Sequence, residues 1–142
     1  MGMIEDIGTY LTATTGNGTL GTDVFLNVMP ETTRLVTAIV ESRGGSPEFA
    51  LGGSVPINTQ QKIEIIVRST AGSGGFANPT NARARIQRAY NRLNGIANTA
   101  LSGSTYLRVV ADHDPYLVER DEQGRVMFKC GFSVMRRGST GI

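Results

Sequence analysis

From Val126 to Val134 the sequence runs Val-Met-Phe-Lys-Cys-Gly-Phe-Ser-Val. Val126, Phe128, Cys130, Phe132 and Val134 take every second place and fall on one side of an extended chain. Met127, Lys129, Gly131 and Ser133 fall on the other. A period of two with one apolar side is the pattern of a strand with one face buried. Upstream, Pro115 to Arg120 reads as its partner, and Asp121-Glu122-Gln123-Gly124 as the turn between them, with Gly124 free to take the positive φ of a tight hairpin. A strand pair of this kind anchors a sheet, and the rest of the chain must pack on it.

The chain before this hairpin supplies further strands and two helices. Ile4, Ile7, Tyr10 and Leu11 give an apolar stripe over Met3–Thr14, with Glu5 and Asp6 favouring the helix N-terminus and Gly16 placed to end it. Asp23–Met29 reads as a strand stopped by Pro30, and Leu35–Ser42 as a second. Both are apolar on both faces, as central strands are. Ile63–Arg68 is a third, and Thr105–Ala111 leads through Asp112-His113-Asp114-Pro115 into the hairpin. The expected fold is α+β, a mixed, mostly antiparallel sheet with one long helix packed on a face and a short N-terminal helix. At 142 residues it forms one domain, residues 1–142, long enough to bury a core.

One stretch departs from this regularity. Residues 43–60 carry Gly44-Gly45 and Gly52-Gly53 around Ser-Pro-Glu-Phe-Ala-Leu, and long excursions of this kind inside a domain are either functional or disordered. Phe49 and Leu51 near the tip favour an arm that packs on another molecule over a plain flexible loop.

The long helix is expected from Thr80 to Asn98, with Asn78 as cap and Pro79 in the first turn. Ala82, Ile86, Ala89, Tyr90, Leu93, Ile96 and Ala97 form its apolar stripe. Arg85, Arg88 and Arg92 share the opposite flank, with Arg83 nearby. Like charges at these spacings repel by a few tenths of a kcal/mol per pair, or about 0.2–0.5. The segment from Ile65 to Ala111 holds six arginines and no acidic residue, so on a chain of net charge +2 the remainder carries −4. Such asymmetry attracts either nucleic acid or further copies of the chain head to tail. The flank reads as a subunit or partner contact, as a nucleic-acid surface, or as a merely solvated face.

Several classes are excluded or unsupported. No apolar run approaches the roughly 18 residues of a membrane span. The N-terminus lacks the basic and apolar regions of a secretion signal, and Asp6 stands where myristoylation requires Ser or Thr. The expected site of synthesis is the cytosol. One cysteine permits no internal disulfide and no cysteine-built metal site, and Cys130 lies on the apolar side of its strand. Ala71-Gly72-Ser73-Gly74-Gly75 before a helix lacks the Gly-Lys-Ser/Thr of a phosphate cradle. His113, the single histidine, has Asp112 and Asp114 beside it, but neighbours on a bend point apart and no second histidine completes a common site. No enzyme activity, cofactor or metal is expected.

The order of these parts, closed by L-V-E-R-D-E-Q-G-R-V-M-F-K-C-G-F-S-V (Leu117–Val134), resembles the tail terminator (tail-completion, minor capsid) proteins of long-tailed bacteriophages. The resemblance covers most of the chain. It implies a virion protein at the tail–neck junction, assembled in the host cytoplasm as a ring, a hexamer in the family. The ring would cap the tail tube, end its growth and dock the head-tail connector, with DNA a possible occupant of the lumen. The family supplies no invariant site, so interface residues follow from chemistry. Arg83, Arg85, Arg88 and Arg92 would meet carboxylates of a neighbour, with Glu119, Asp121 and Glu122 as candidates, and Phe49 and Leu51 would pack on an adjoining ring. The alternatives are another neck or head-completion protein, a nucleic-acid-binding module, and a small hydrolase built around His113. Scarce aromatic residues count against the nucleic-acid module.

Overall fold

The computed structural model describes residues 2–31, 34–44, 48–49, 56–70, 79–120 and 125–137. Along them run α1 (Met3–Thr12), β1 (Val24–Leu26), β2 (Val36–Gly44), β3 (Glu48–Phe49), β4 (Pro56–Arg68), α2 (Pro79–Leu93), β5 (Ile96–Leu101), β6 (Ser104–Ala111), β7 (Tyr116–Arg120) and β8 (Val126–Arg137). The fold is α+β.

The alternating strand of the sequence is β8, and its longest partner is β4. The two run antiparallel through eleven consecutive residue pairs, from Asn58 with Arg137 to Arg68 with Met127, without a bulge. Around this pair the sheet has two levels. At the upper level β1, β2, β4, β8 and β7 lie side by side. One row of paired residues crosses all five, namely Val24, Thr37, Val67, Phe128 and Leu117. At the lower level β3 lies beside β4, and β6 then β5 lie beside β8. β7 and β6 thus share one edge of β8, β7 along Val126–Lys129 and β6 along Phe132–Arg136.

The core lies between one face of this sheet and the two helices. Ala82, Ile86, Ala89 and Leu93 of α2 are buried together with Met3, Ile4, Ile7 and Leu11 of α1. They join Ile39, Ile63, Ile65, Val67, Phe128, Cys130, Phe132 and Val134 in one cluster. Each such Ile, Leu, Val or Phe contributes about 1.5–3 kcal/mol by leaving water. The other sheet face carries the alternate residues, among them Lys62, Glu64, Lys129 and Ser133. Glu64 and Lys129 pair across it at 2.9 Å. Two buried arginines reach the segment before β2: Arg68 donates to the Pro30 carbonyl, and Arg125 to Glu31 at 2.7 Å.

The elements depart from the sequence expectation in four places. α2 ends at Leu93 rather than Asn98, because Gly95 at φ +95 turns the chain out and its N–H bonds to the Val109 carbonyl. Ile96 and Ala97 therefore begin β5, a strand that no period of two announces, since only its end residues are buried. β1 is a three-residue edge strand parallel to β2, not a central one. The loop before it closes on Val24, whose N–H bonds to Thr19 and whose carbonyl accepts from Gly21. Of the stretch 43–60, residues 43–44 continue β2, 48–49 form β3 and 56–60 open β4. Leu51, the glycine run 71–76, Asn78 and the turn at Asp121–Gly124 lie outside the described residues.

Candidate functional site

The arginine flank of α2 divides by role. Arg92 lies with its guanidinium 3.7 Å from the centre of the Tyr10 ring and donates from Nε to the Tyr10 carbonyl at 3.2 Å, which ties α2 to α1. Arg85 is half-buried, and Nη1 stands 3.9 Å from Asp23 Oδ2. Burial lowers its pKa below the usual arginine value; Asp23 opposes this shift and Arg88 adds to it. The loop before β1 leaves room for Arg85 through Gly18 at φ +91. A Cβ there would lie 2.8 Å from both Arg85 Nη1 and Val24 Cγ2. Arg88 is exposed and lies against Gly16 of the same loop. Arg83 is exposed as well, 4.8 Å above the Phe128 ring. Arg83 and Arg88 are therefore the members that face outward.

The other interface candidates are placed less fully. The backbone of Phe49 is on β3, opposite Pro56, and that of Glu119 is on β7, opposite Met127. Leu51, Asp121 and Glu122 lie outside the described residues.

On the sheet face without helices the structure assembles a polar cluster. Ser133 Oγ donates to Asp112 Oδ1 at 2.6 Å, and Lys62 Nζ donates to Ser133 Oγ at 2.8 Å and to Asp112 Oδ2 at 3.2 Å. His113 stands beside it and performs a structural task. Gly131 falls at the gap where β6 bends into β7, and its N–H donates to His113 Nε2 at 3.3 Å. That ring nitrogen is then an acceptor, so Nδ1 holds the proton and donates to the Asp114 carbonyl at 2.9 Å. Cys130 points into the core, where burial first, then Asp112 and Asp114, push its thiol up to about 12.

The cluster is poorly arranged for nucleophilic chemistry. The Ser133 proton already rests on Asp112, and Lys62 offers donors rather than a free amine. The His113 lone pair is taken by Gly131. Among the described residues no group of three His, Cys, Asp or Glu side chains could hold a metal. Two shallow depressions meet at Asp112, one toward Arg108 and Val110 and the other toward Ser42 and Glu64. Lys62 and Ser133 escape a reading of the sequence because they are 71 residues apart and meet only through the β4–β8 register.

Burial raises the Asp112 pKa, but the Ser133 hydroxyl and Lys62 outweigh it, and the net shift is downward from 3.8. A carboxylate whose folded pKa is depressed stabilises the fold above its unfolded value and loses that contribution as pH falls through the folded value. Because the group is a third exposed, solvent screens the effect. Asp112→Asn should cost about 1 kcal/mol or less at neutral pH. The difference in urea midpoints from the parent should shrink toward zero as pH is lowered below 3.8. A difference that persisted at pH near 2 would assign the loss to something other than this charge.

Comparison with known proteins follows from this geometry. A family model described as bacteriophage tail terminator protein matches residues 12–134. No curated protein matches the sequence. Among solved structures, a chain from the virion of a native gene transfer agent particle superposes with a TM-score of 0.61 at 14% identity, over 96% of this chain and 95% of that one. At that identity the likeness is one of fold.

Proposed function

Because the chain belongs to the bacteriophage tail terminator family, we propose that it forms a ring, six-membered as the resemblance implies, that caps the tail tube. The ring ends tube growth and offers filled heads a docking surface. As a family member the chain is a structural protein of the virion tail. The match across residues 12–134 is the observation that carries this reading. The mechanism is steric and multivalent: one face of the ring matches the tube and occludes further tube subunits, and the other face meets the neck. Within that reading the basic flank of α2, with Arg83 and Arg88 outermost, pairs with carboxylates on a neighbour. Glu119, Asp121 and Glu122 are the candidates, and Phe49 and Leu51 meet an adjoining ring.

Negative-stain microscopy of a lysate in which only this chain is missing tests the proposal. Filled heads beside detached, overlong tails are the expected outcome. Leaking heads with tails of normal length would move the protein to the head side of the neck, and intact particles would end the structural reading. Supplying Arg88→Glu in place of the parent should reproduce the overlong tails, while the purified variant melts as the parent does. Normal particles from that variant would remove Arg88 from the interface.

A further inference from the structure

Among the described residues, the large apolar side chains left in solvent are Val28, Tyr116, Leu117 and Val118, at 52%, 47%, 53% and 43% exposure. Single exposed apolar residues are ordinary on a protein surface, but these are not scattered. Tyr116, Leu117 and Val118 are consecutive on β7, the outermost strand at one end of the upper row. Val28 follows β1, the outermost strand at the other end. Five strands spaced about 4.8 Å apart put these two edges roughly 20 Å from each other, facing in opposite directions.

β7 pairs with β8 on one side only. Natural edge strands are commonly shielded by charge, by proline or by a covering segment, because an open ladder with apolar side chains invites another chain. Across Tyr116-Leu117-Val118 the strand has no such residue. Leu117 stands directly opposite Phe128, so it continues the apolar helix-side face beyond the edge of the core. Tyr116 is steadied by the His113 ring, which meets it edge-on at 4.9 Å. At the opposite edge the loop Thr19–Gly21 closes on Val24 and covers the near end of β1. Val28 lies past the far end.

The charges sort the same way. Asp114 is exposed just before β7, and Glu119 sits on that strand. Arg88 lies against Gly16 in the loop that leads to β1, and Arg85 stands by Asp23 immediately before it. Joining two β7 edges would set acid against acid. Joining β7 to the β1 edge of another subunit sets acid against base and apolar against apolar.

We propose that the β7 edge of one subunit docks on the β1 edge of a second copy around Val28, so that upper rows of the sheet join head to tail. A contact between two different surfaces of the same chain closes into a ring when its rotation permits. The inference rests on the ring reading above and names the seam that reading needs.

The test uses Val28→Lys and Leu117→Lys, each purified and examined by mass photometry and electron microscopy, alone and with purified tail tubes. Both sites are half-exposed, so each variant should keep the parent's circular dichroism and melting midpoint; one that does not is replaced by the serine substitution. The parent should form rings, and each variant should lose them by about tenfold or more. An equal mixture should give dimers of one variant with the other, because only the intact β7 of Val28→Lys can meet the intact β1 of Leu117→Lys. Rings that persist in both variants would overturn this seam and leave the ring reading standing. Loss of rings in only one variant, or a mixture with no dimers, would overturn the head-to-tail pairing. A parent that forms no ring either alone or on tubes would overturn the ring reading, and this inference with it.

Discussion

Alanine at Phe132 should lower the free energy of unfolding by about 3–5 kcal/mol and the thermal midpoint by about 10–20 °C. The side chain is fully buried and lies on β8 between Ile63 of β4 and Ala111 of β6. Its ring centre is 6.5 Å from that of Tyr90 on α2, with the planes tilted by 46°. Removing it forfeits the transfer energy of a large ring. It also leaves a cavity where three strands and a helix converge, a place that cannot collapse without moving one of them. Urea denaturation gives the answer directly. A loss below about 1 kcal/mol would show that the neighbours relax into the space, and the core would then be softer than its burial indicates.

Tyr106→Phe should cost about 3 kcal/mol although it removes only one oxygen. Tyr106 and Asp6 are both wholly buried, and the phenol donates to Asp6 Oδ2. No hydrogen-bond partner serves the other carboxylate oxygen. Phenylalanine would leave a carboxylate inside the core with its donor gone, and an unsatisfied buried charge costs far more than the hydrogen bond itself contributes. The double change Tyr106→Phe with Asp6→Ala should therefore fall short of the sum of the singles by more than about 1 kcal/mol. Strict additivity in that cycle would mean the two groups do not act together. Burial first, and then the bond and charge of Asp6, raise the Tyr106 pKa well above 10.0. The unfolded phenol thus ionises before the folded one, and the parent should lose stability as pH rises beyond 10, a slope that Tyr106→Phe should lack.

The sequence shows what depends on neighbours along the chain and hides what depends on register. The alternation of β8 is visible because one face of that strand is core along its length. The stripe Ala82, Ile86, Ala89 and Leu93 is visible because α2 has one buried side. β4 begins at Pro56, seven residues before its apolar part, and Pro-Ile-Asn-Thr-Gln-Gln has no face that a period of two could reveal. Asp6 reads as an acid placed at a helix N-terminus, yet it serves a tyrosine 100 positions away. Arg85 and Arg92 look like their neighbours Arg83 and Arg88 in any helical projection. The packing of α1 and the β1 loop against α2 is what turns two of them inward. The Lys62–Asp112–Ser133 cluster likewise exists only once β4 and β8 are aligned.

The strand that joins the levels of the sheet is also the last one made. β8 pairs with β4, β6 and β7, and it begins only at Val126. A nascent chain therefore emerges with both amphipathic helices and every other strand before the element that unites them. Until residues 126–137 clear the ribosome, the apolar sides of α1, α2 and β4 have no completed sheet to cover. Folding must then close contacts across some 70 residues at once, a topology that makes folding slow. Synthesis of this protein thus places its greatest demand on chaperones at its very end, and a chain broken off before β8 would be material for proteases rather than a smaller working domain.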